Sequence, residues 1–459
     1  MENNKRLLKN TLIYFIGTFG SKLLIFFLLP LYSQYLSLEE YGTVNLITNI
    51  VPLIGPIFTL QISECVFRFL CDCDGIENKK KYVSNSFFIL TIGMLFFLFL
   101  YIPLSMITDI RYRNIFMLYF IFNYLGIYFQ QILRGFHMNI DYVVTGVIST
   151  LVQLVLNILL IKNIYEESIL ISMLASSILI TLYAFIRLNL FNYIDSGYIS
   201  VETIKEMINY TLPLVPNQIS WWLNGTAGLY ILKYYYGDAG VGIVSFASKF
   251  PSIITVVNNI FLLAWSENTI YEYNTPDISN YYTKNLERFT NILLVFTALV
   301  LPATKIYFSL GISETYNESL NLIPLLAISV VFSAIASFNG ALYTASKRTM
   351  GALSTTIVAA IINITIALIF VPKYGVYGYA LANCISNFAF YLVRKRSVNK
   401  IIYIKEDYNK YIFSIGFFAM SCYAMYNFSS IANVCYISIS ITILAINNIE
   451  KVKKILFQK

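Results

Sequence analysis

Long apolar runs separated by short polar breaks recur along the whole chain, and their lengths set the first expectation. Runs near 11–33, 42–68, 82–107, 114–134, 142–161 and 168–187 form one set. A second set lies near 208–232, 241–265, 285–308, 319–343, 351–371 and 377–393, followed by a last pair near 409–427 and 431–447. Each approaches the roughly 20 residues that carry an α-helix across a bilayer. The expected fold is therefore an all-α polytopic membrane protein of about 14 transmembrane helices. The first run is too long for the core of a signal peptide and lacks a small-residue cleavage site, so it is expected to remain as a helix.

The two sets of six are related. Leu36 to Gly42 and Tyr236 to Gly242 both read as helix, short turn and Gly-containing helix start, at an offset of 200 residues. Asn157 and Asn363 each lie in the fifth span of their set. Parallel six-helix repeats are a known plan for transporters, with the substrate path at the repeat interface. The expected organisation is an N-terminal lobe over 1–188, a polar, mildly amphipathic linker over 189–207, a C-terminal lobe over 208–396, and an added helix pair with a basic tail over 397–459.

Composition strengthens the membrane reading. Hydrophobic residues make up 58% of the chain and charged ones only 12%, about half the share in soluble domains. The 37 Tyr suit membrane interfaces, where a ring meets lipid and a hydroxyl meets headgroups. The net charge of +8 then reports orientation and contact with anionic lipid rather than nucleic acid. With the N-terminus inside, 24 Lys and Arg fall on the cytoplasmic side, six fall outside, and Lys22 and Lys249 fall within spans. That bias places both termini in the cytoplasm.

Few residues offer chemistry. Lys22 sits about 16 Å into the first span, too deep to reach either surface, and such a charge normally faces a polar cavity or an ion partner. No Asp or Glu lies between Thr11 and Ser33, so Lys22 is read as an anion contact in a cavity. Lys249, about 12 Å into the eighth span, is the second candidate. Lys305, near a helix end, snorkels to headgroups. Arg68 and Arg134, at inner span ends, are candidates for capturing a headgroup at the cytoplasmic entrance, although Glu64, one turn before Arg68, also predicts a local pair.

Other motifs reduce to structure. Ser37-Leu38-Glu39-Glu40 has the form of a capping box, which competes with a catalytic reading of the two acids. Gly17-Thr18-Phe19-Gly20-Ser21-Lys22 has neither the order nor the spacing of a phosphate loop. His137 is the only histidine, which excludes a multi-histidine metal site. Cys71 and Cys73 lack the further ligands of a zinc site, and the six Cys read as reduced thiols. Pro213 and Pro216 predict kinks in the seventh span. No cofactor is expected, and an H+ or Na+ gradient is the expected candidate energy source.

The motifs together resemble a family. Pro30-Leu31-Tyr32, Leu36-x-x-Glu39-Glu40-Tyr41-Gly42 and Arg68-Phe69 are similar to the opening of bacterial polysaccharide flippases of the Wzx type, in the multidrug/oligosaccharidyl-lipid/polysaccharide exporter superfamily. Arg134-Gly135, Val241-Gly242-Ile243-x-Ser245-x-Ala247-Ser248-Lys249 and Pro372-x-Tyr374-Gly375-x-x-Gly378-x-Ala380 extend the resemblance over nearly the whole chain. Where many relatives carry Asp-Arg, this chain reads Gly228-Leu229. The resemblance implies two six-helix lobes in a V, as in the MATE transporters, alternately open to each side. It implies an undecaprenyl pyrophosphate-linked oligosaccharide as cargo, for O-antigen, capsule or exopolysaccharide, in the bacterial cytoplasmic membrane. A polysaccharide polymerase and a chain-length regulator are the expected partners, beside membrane lipid. The rivals are a cation-coupled drug antiporter on the same fold, which would favour a deep carboxylate, and a membrane glycosyltransferase or polymerase, for which a sizeable outer loop is expected.

Overall fold

The computed structural model describes residues 26–457 apart from 74, 108–110, 274 and 347. The chain divides into two compact units, one ending at Tyr230 and one beginning at Ile231, and the 189–207 segment lies inside the first.

In the first unit, a short helix α1 (Leu28–Tyr35) leads to α2 (Leu38–Thr59). The capping box is formed: the Glu40 N–H donates to Ser37 Oγ at 3.2 Å and the Ser37 N–H donates to Glu40 Oε2 at 2.8 Å. These bonds satisfy amides that a helix start otherwise leaves open, so Glu40 serves the fold. The second span then breaks. Leu60 and Gln61 adopt left-handed φ of 49° and 55°, and α3 (Ile62–Asp72) begins beyond them. For side chains with a Cβ this conformation costs about 1–2 kcal/mol per residue, so packing must hold it. One such contact is visible: a Cβ on Gly93 would stand 2.0 Å from the Phe58 carbonyl oxygen. Only glycine lets α4 (Ile76–Ile107) approach the end of α2 so closely.

The unit continues through α5 (Arg113–Gly135), α6 (Asn139–Ile164) and α7 (Glu167–Leu188). Leu90, Phe97, Phe120, Tyr128 and Leu133 form its core with Val66 and Leu70. Asn157 donates to Ser172 Oγ at 2.7 Å, and Gln153 donates to Ser176 Oγ at 3.1 Å, joining α6 to α7. Beyond them come α8 (Val201–Thr211) and α9 (Leu214–Ser248). The first part of α9 is fastened to α2 by Trp222 Nε1, which donates to the Asn49 carbonyl at 2.6 Å, and by the Tyr230 hydroxyl, which donates to that of Leu46 at 3.1 Å. Pro213 precedes α9 and Pro216 lies in its first turn, where a missing N–H costs no helical bond. The seventh span is interrupted at Leu212–Pro213, between α8 and α9, and α9 turns again at Gly237, with φ of 67°.

In the second unit, a Cβ on Gly240 would lie 3.6 Å from Leu232 Cγ. Eight residues of straight helix would put those positions about 12 Å apart, so the chain folds back at Gly237. Next come α10 (Pro251–Glu272), α11 (Ile278–Ser309), α12 (Asn317–Ala345) and the 50-residue α13 (Thr349–Val398). The last of these also reverses, at Gly375 with φ of 57°. Asn363 donates to Ser386 Oγ at 2.8 Å, although 23 residues separate them. Asn363 thus does in this unit what Asn157 does in the first, tying the fifth span of a set to the sixth through a serine. The chain ends in α14 (Ile412–Asn427) and α15 (Ser430–Phe457).

Arg394 is buried at 3% exposure and sits between helices. It donates to the Ala336 carbonyl at 3.1 Å, to Thr355 Oγ1 at 3.3 Å and to Thr356 Oγ1 at 3.2 Å, with its guanidinium 4.5 Å from the Phe390 ring. A planar fork serves several acceptors at once, which an ammonium on a flexible stem does not. Arg394→Lys is therefore expected to lower stability by about 2–4 kcal/mol, read as a fall in the thermal unfolding midpoint of the purified protein.

Among the described residues, eight helices are long and apolar enough to cross a membrane, or nine if the bent α9–α10 pair is one span. Their apolar side chains point outward: only 17% of the most apolar window of α6 is buried. Such a surface is stable against lipid and not against water. The protein is a multi-pass membrane protein, and the expected count of about fourteen spans is roughly consistent with these elements: α13 supplies two, the second, seventh and eighth are each broken, and most of the first lies outside the described residues.

Candidate functional site

Lys22 lies outside the described residues. Lys249 was expected inside the eighth span and instead sits in a break of it, between the end of α9 and Pro251 of α10, where the two helices bend by 49°. Proline at the first position starts α10 well and cannot continue α9 with a bonded N–H, which explains the break. The Lys249 backbone is held there, with its N–H donating to the Phe246 carbonyl at 3.1 Å and its own carbonyl accepting from Ser252 Oγ at 2.5 Å. Its side chain is half-buried, and its ammonium has no hydrogen bond or ion pair among the described residues.

One turn earlier, Ser245 is buried and its hydroxyl has no partner among the described residues. Serines in helices commonly bond back to the preceding turn, as Ser248 does to the Val244 carbonyl at 2.8 Å. Lys249 follows the last turn of α9, four residues after Ser245, and its ammonium is the group here that suits an anionic oxygen. Ser245 belongs to the motif that ends at Lys249. Its four-residue spacing from Lys249 was the available signal.

Arg68 and Arg134 lie together in the first unit. Arg68 is exposed and paired with Asp72, not with Glu64 as its spacing suggested. Glu64 instead accepts from Gln131 Nε2 at 3.0 Å, because α5 places that amide beside it. Gln131 Oε1 in turn accepts from Arg134 at 2.9 Å, and the Arg134 guanidinium lies 4.3 Å from the Phe67 ring. Burial pushes the Cys71 thiol up, with Arg134 and Arg68 opposing it and Asp72 adding to it. Each arginine already has protein partners, which weakens both as free anion receptors.

Other basic residues between spans are likewise less free than a charge count implies. Lys395 pairs with Glu406 at 2.6 Å and Lys410 with Glu287 at 2.7 Å, and the Glu287 bond pushes the Lys410 ammonium up. All six cysteines are free thiols, and no metal-binding cluster is found among the described residues.

A sequence profile described as "Polysaccharide biosynthesis protein" matches residues 7–265, more than half of the chain. The chain belongs to the polysaccharide biosynthesis protein family. No curated protein matches it in sequence. Among solved structures it is similar to the lipid II flippase MurJ in an inward closed conformation, with a TM-score of 0.73 and 15% identity, over 96% of this chain and 100% of that one. It is also similar to an inward-facing MATE-family multidrug resistance transporter of the MOP superfamily, with a TM-score of 0.64 and 14% identity, over 83% of this chain and 95% of that one. At such identities the likeness establishes the shared fold. The family match includes the Lys249–Ser245 pair and both arginines.

Proposed function

We propose that this polysaccharide biosynthesis protein carries an undecaprenyl pyrophosphate-linked oligosaccharide from the cytoplasmic to the outer leaflet of a bacterial cytoplasmic membrane by alternating access. The product would enter O-antigen, capsule or exopolysaccharide assembly, with a polymerase and a chain-length regulator downstream. The observation that carries this reading is a lysine ammonium without a partner among the described residues, at a bent helix junction, in a chain of this family. Moving a sugar pyrophosphate through hydrocarbon without polar partners is costly, and Lys249 with Ser245 supplies partners for its phosphate oxygens. Lys22 would act with them. An H+ or Na+ gradient would drive the cycle.

The fold is shared with drug transporters, so an antiporter is the rival. That reading favours a carboxylate free to bind a cation. Among the described residues the buried carboxylates Glu166 and Glu287 are ion-paired, with Arg111 and Lys410. The deciding experiment is transport of a defined undecaprenyl pyrophosphate-linked sugar by the protein in proteoliposomes. Lys22→Ala is expected to reduce that transport at equal protein level, and Lys22→Arg to preserve much of it. Equal transport by the Ala variant would remove Lys22 from the mechanism.

A further inference from the structure

The segment after α7 forms a second polar site, remote in sequence from Lys249. Residues 190–198 run as two short 3-10 turns that are stapled to α4 rather than loose. Ser84 Oγ donates to the Tyr193 carbonyl at 3.0 Å and accepts from the Asp195 N–H at 3.0 Å. Asn85 donates to the Tyr198 carbonyl at 2.8 Å and accepts from the Ser200 N–H at 2.9 Å. Leu190 is fully buried beneath.

This bracing holds open a cavity of about 720 Å³ between the first turn of α4 and the end of α7, lined by Lys80, Asn189, Asp195 and Ser196 among others. Of three successive lysines, Lys79 lies over the Phe136 ring at 4.9 Å and Lys81 over that of Tyr82 at 5.7 Å, while Lys80 lines the cavity. Asp195 uses one oxygen to cap the Gly197 N–H at 2.9 Å, and its other oxygen has no hydrogen bond among the described residues. Lys80 and Asp195 are not paired with each other. The cavity thus presents one cation and one anion separately. Ile76, 66% exposed, and Phe191, 80% exposed, stand at its rim. The cavity lies at the polar start of α4 and the end of α7, each adjoining an apolar run, so its apolar rim side chains suit acyl chains at the level where headgroups begin.

We propose that this cavity binds the headgroup of a membrane phospholipid that carries both a phosphate and a primary ammonium, with Lys80 taking the phosphate, Asp195 the ammonium, and Ile76 and Phe191 contacting the acyl chains. A purely anionic headgroup would leave Asp195 facing a like charge. The site is independent of the cargo and of Lys249.

The test is native mass spectrometry of the detergent-purified full chain titrated with phosphatidylethanolamine, phosphatidylglycerol or soluble phosphoethanolamine. Wild type is expected to retain phosphatidylethanolamine over both other probes. Lys80→Ala and Lys80→Gln should each weaken that binding by about tenfold, the loss of one charge-assisted contact, with an unchanged unfolding midpoint. Asp195→Asn keeps an oxygen for the Gly197 cap and should abolish the preference over phosphatidylglycerol, whereas Lys81→Ala should change neither. Equal or tighter phosphatidylglycerol binding by wild type would overturn the proposal, as would phosphatidylethanolamine binding indifferent to both Lys80 variants. Soluble phosphoethanolamine binding as tightly as the lipid would overturn the membrane source.

Discussion

Gly93→Ala is expected to lower the thermal midpoint of the purified protein by roughly 5–10 °C, the largest stability effect of any single-methyl change discussed for this chain. The added carbon would stand 2.0 Å from the Phe58 carbonyl oxygen, and that atom belongs to the main chain, so no rotamer change relieves the contact. Either α4 moves away from α2 or the left-handed pair Leu60–Gln61 shifts, and both undo packing that holds the break in the second span. Trp222 makes a convenient reporter, since its indole is bonded to the Asn49 carbonyl of α2. The matched control is Gly416→Ala in α14, where the new carbon meets nothing within 4 Å and the higher helix propensity of Ala acts alone. Equal midpoints for the two variants would mean that α4 does not approach the end of α2 as closely as described.

Lys249→Ala is expected to reduce reconstituted transport of the lipid-linked sugar by about ten- to a hundredfold, the worth of one charge-assisted contact to a phosphate oxygen. Lys249→Glu should abolish transport, since it repels the same group, and Lys249→Arg should retain much of it. Ser245→Ala should show a smaller loss in the same direction. The ammonium has no protein partner to forfeit among the described residues, so yield and midpoint should stay near wild type. A variant that transports normally would sink the proposal, and one that fails to accumulate would reassign the lysine to folding.

The membrane class, the positions of nearly all the spans and the two-fold repetition of six were legible in the linear pattern, because hydrocarbon imposes a length and a polarity on every helix that crosses it. The capping box was legible for a similar reason: its bonds are local, and three residues suffice to specify them. Asn157 and Asn363 could be matched as repeat positions, but their serine partners lie 15 and 23 residues away across a reversal, and the hydrogen bonds appear only once the helices pack. Glu64 shows the limit of spacing arguments. Four residues from Arg68 on one helix, it nevertheless accepts from Gln131 of another, because tertiary packing brought a better-placed donor. The turn at Gly237, and the seat of Lys249 in a bend rather than inside a span, were likewise decided by packing. A one-dimensional pattern records how much polarity a segment can carry into lipid, whereas the direction in which each charge points depends on neighbours contributed by distant parts of the chain.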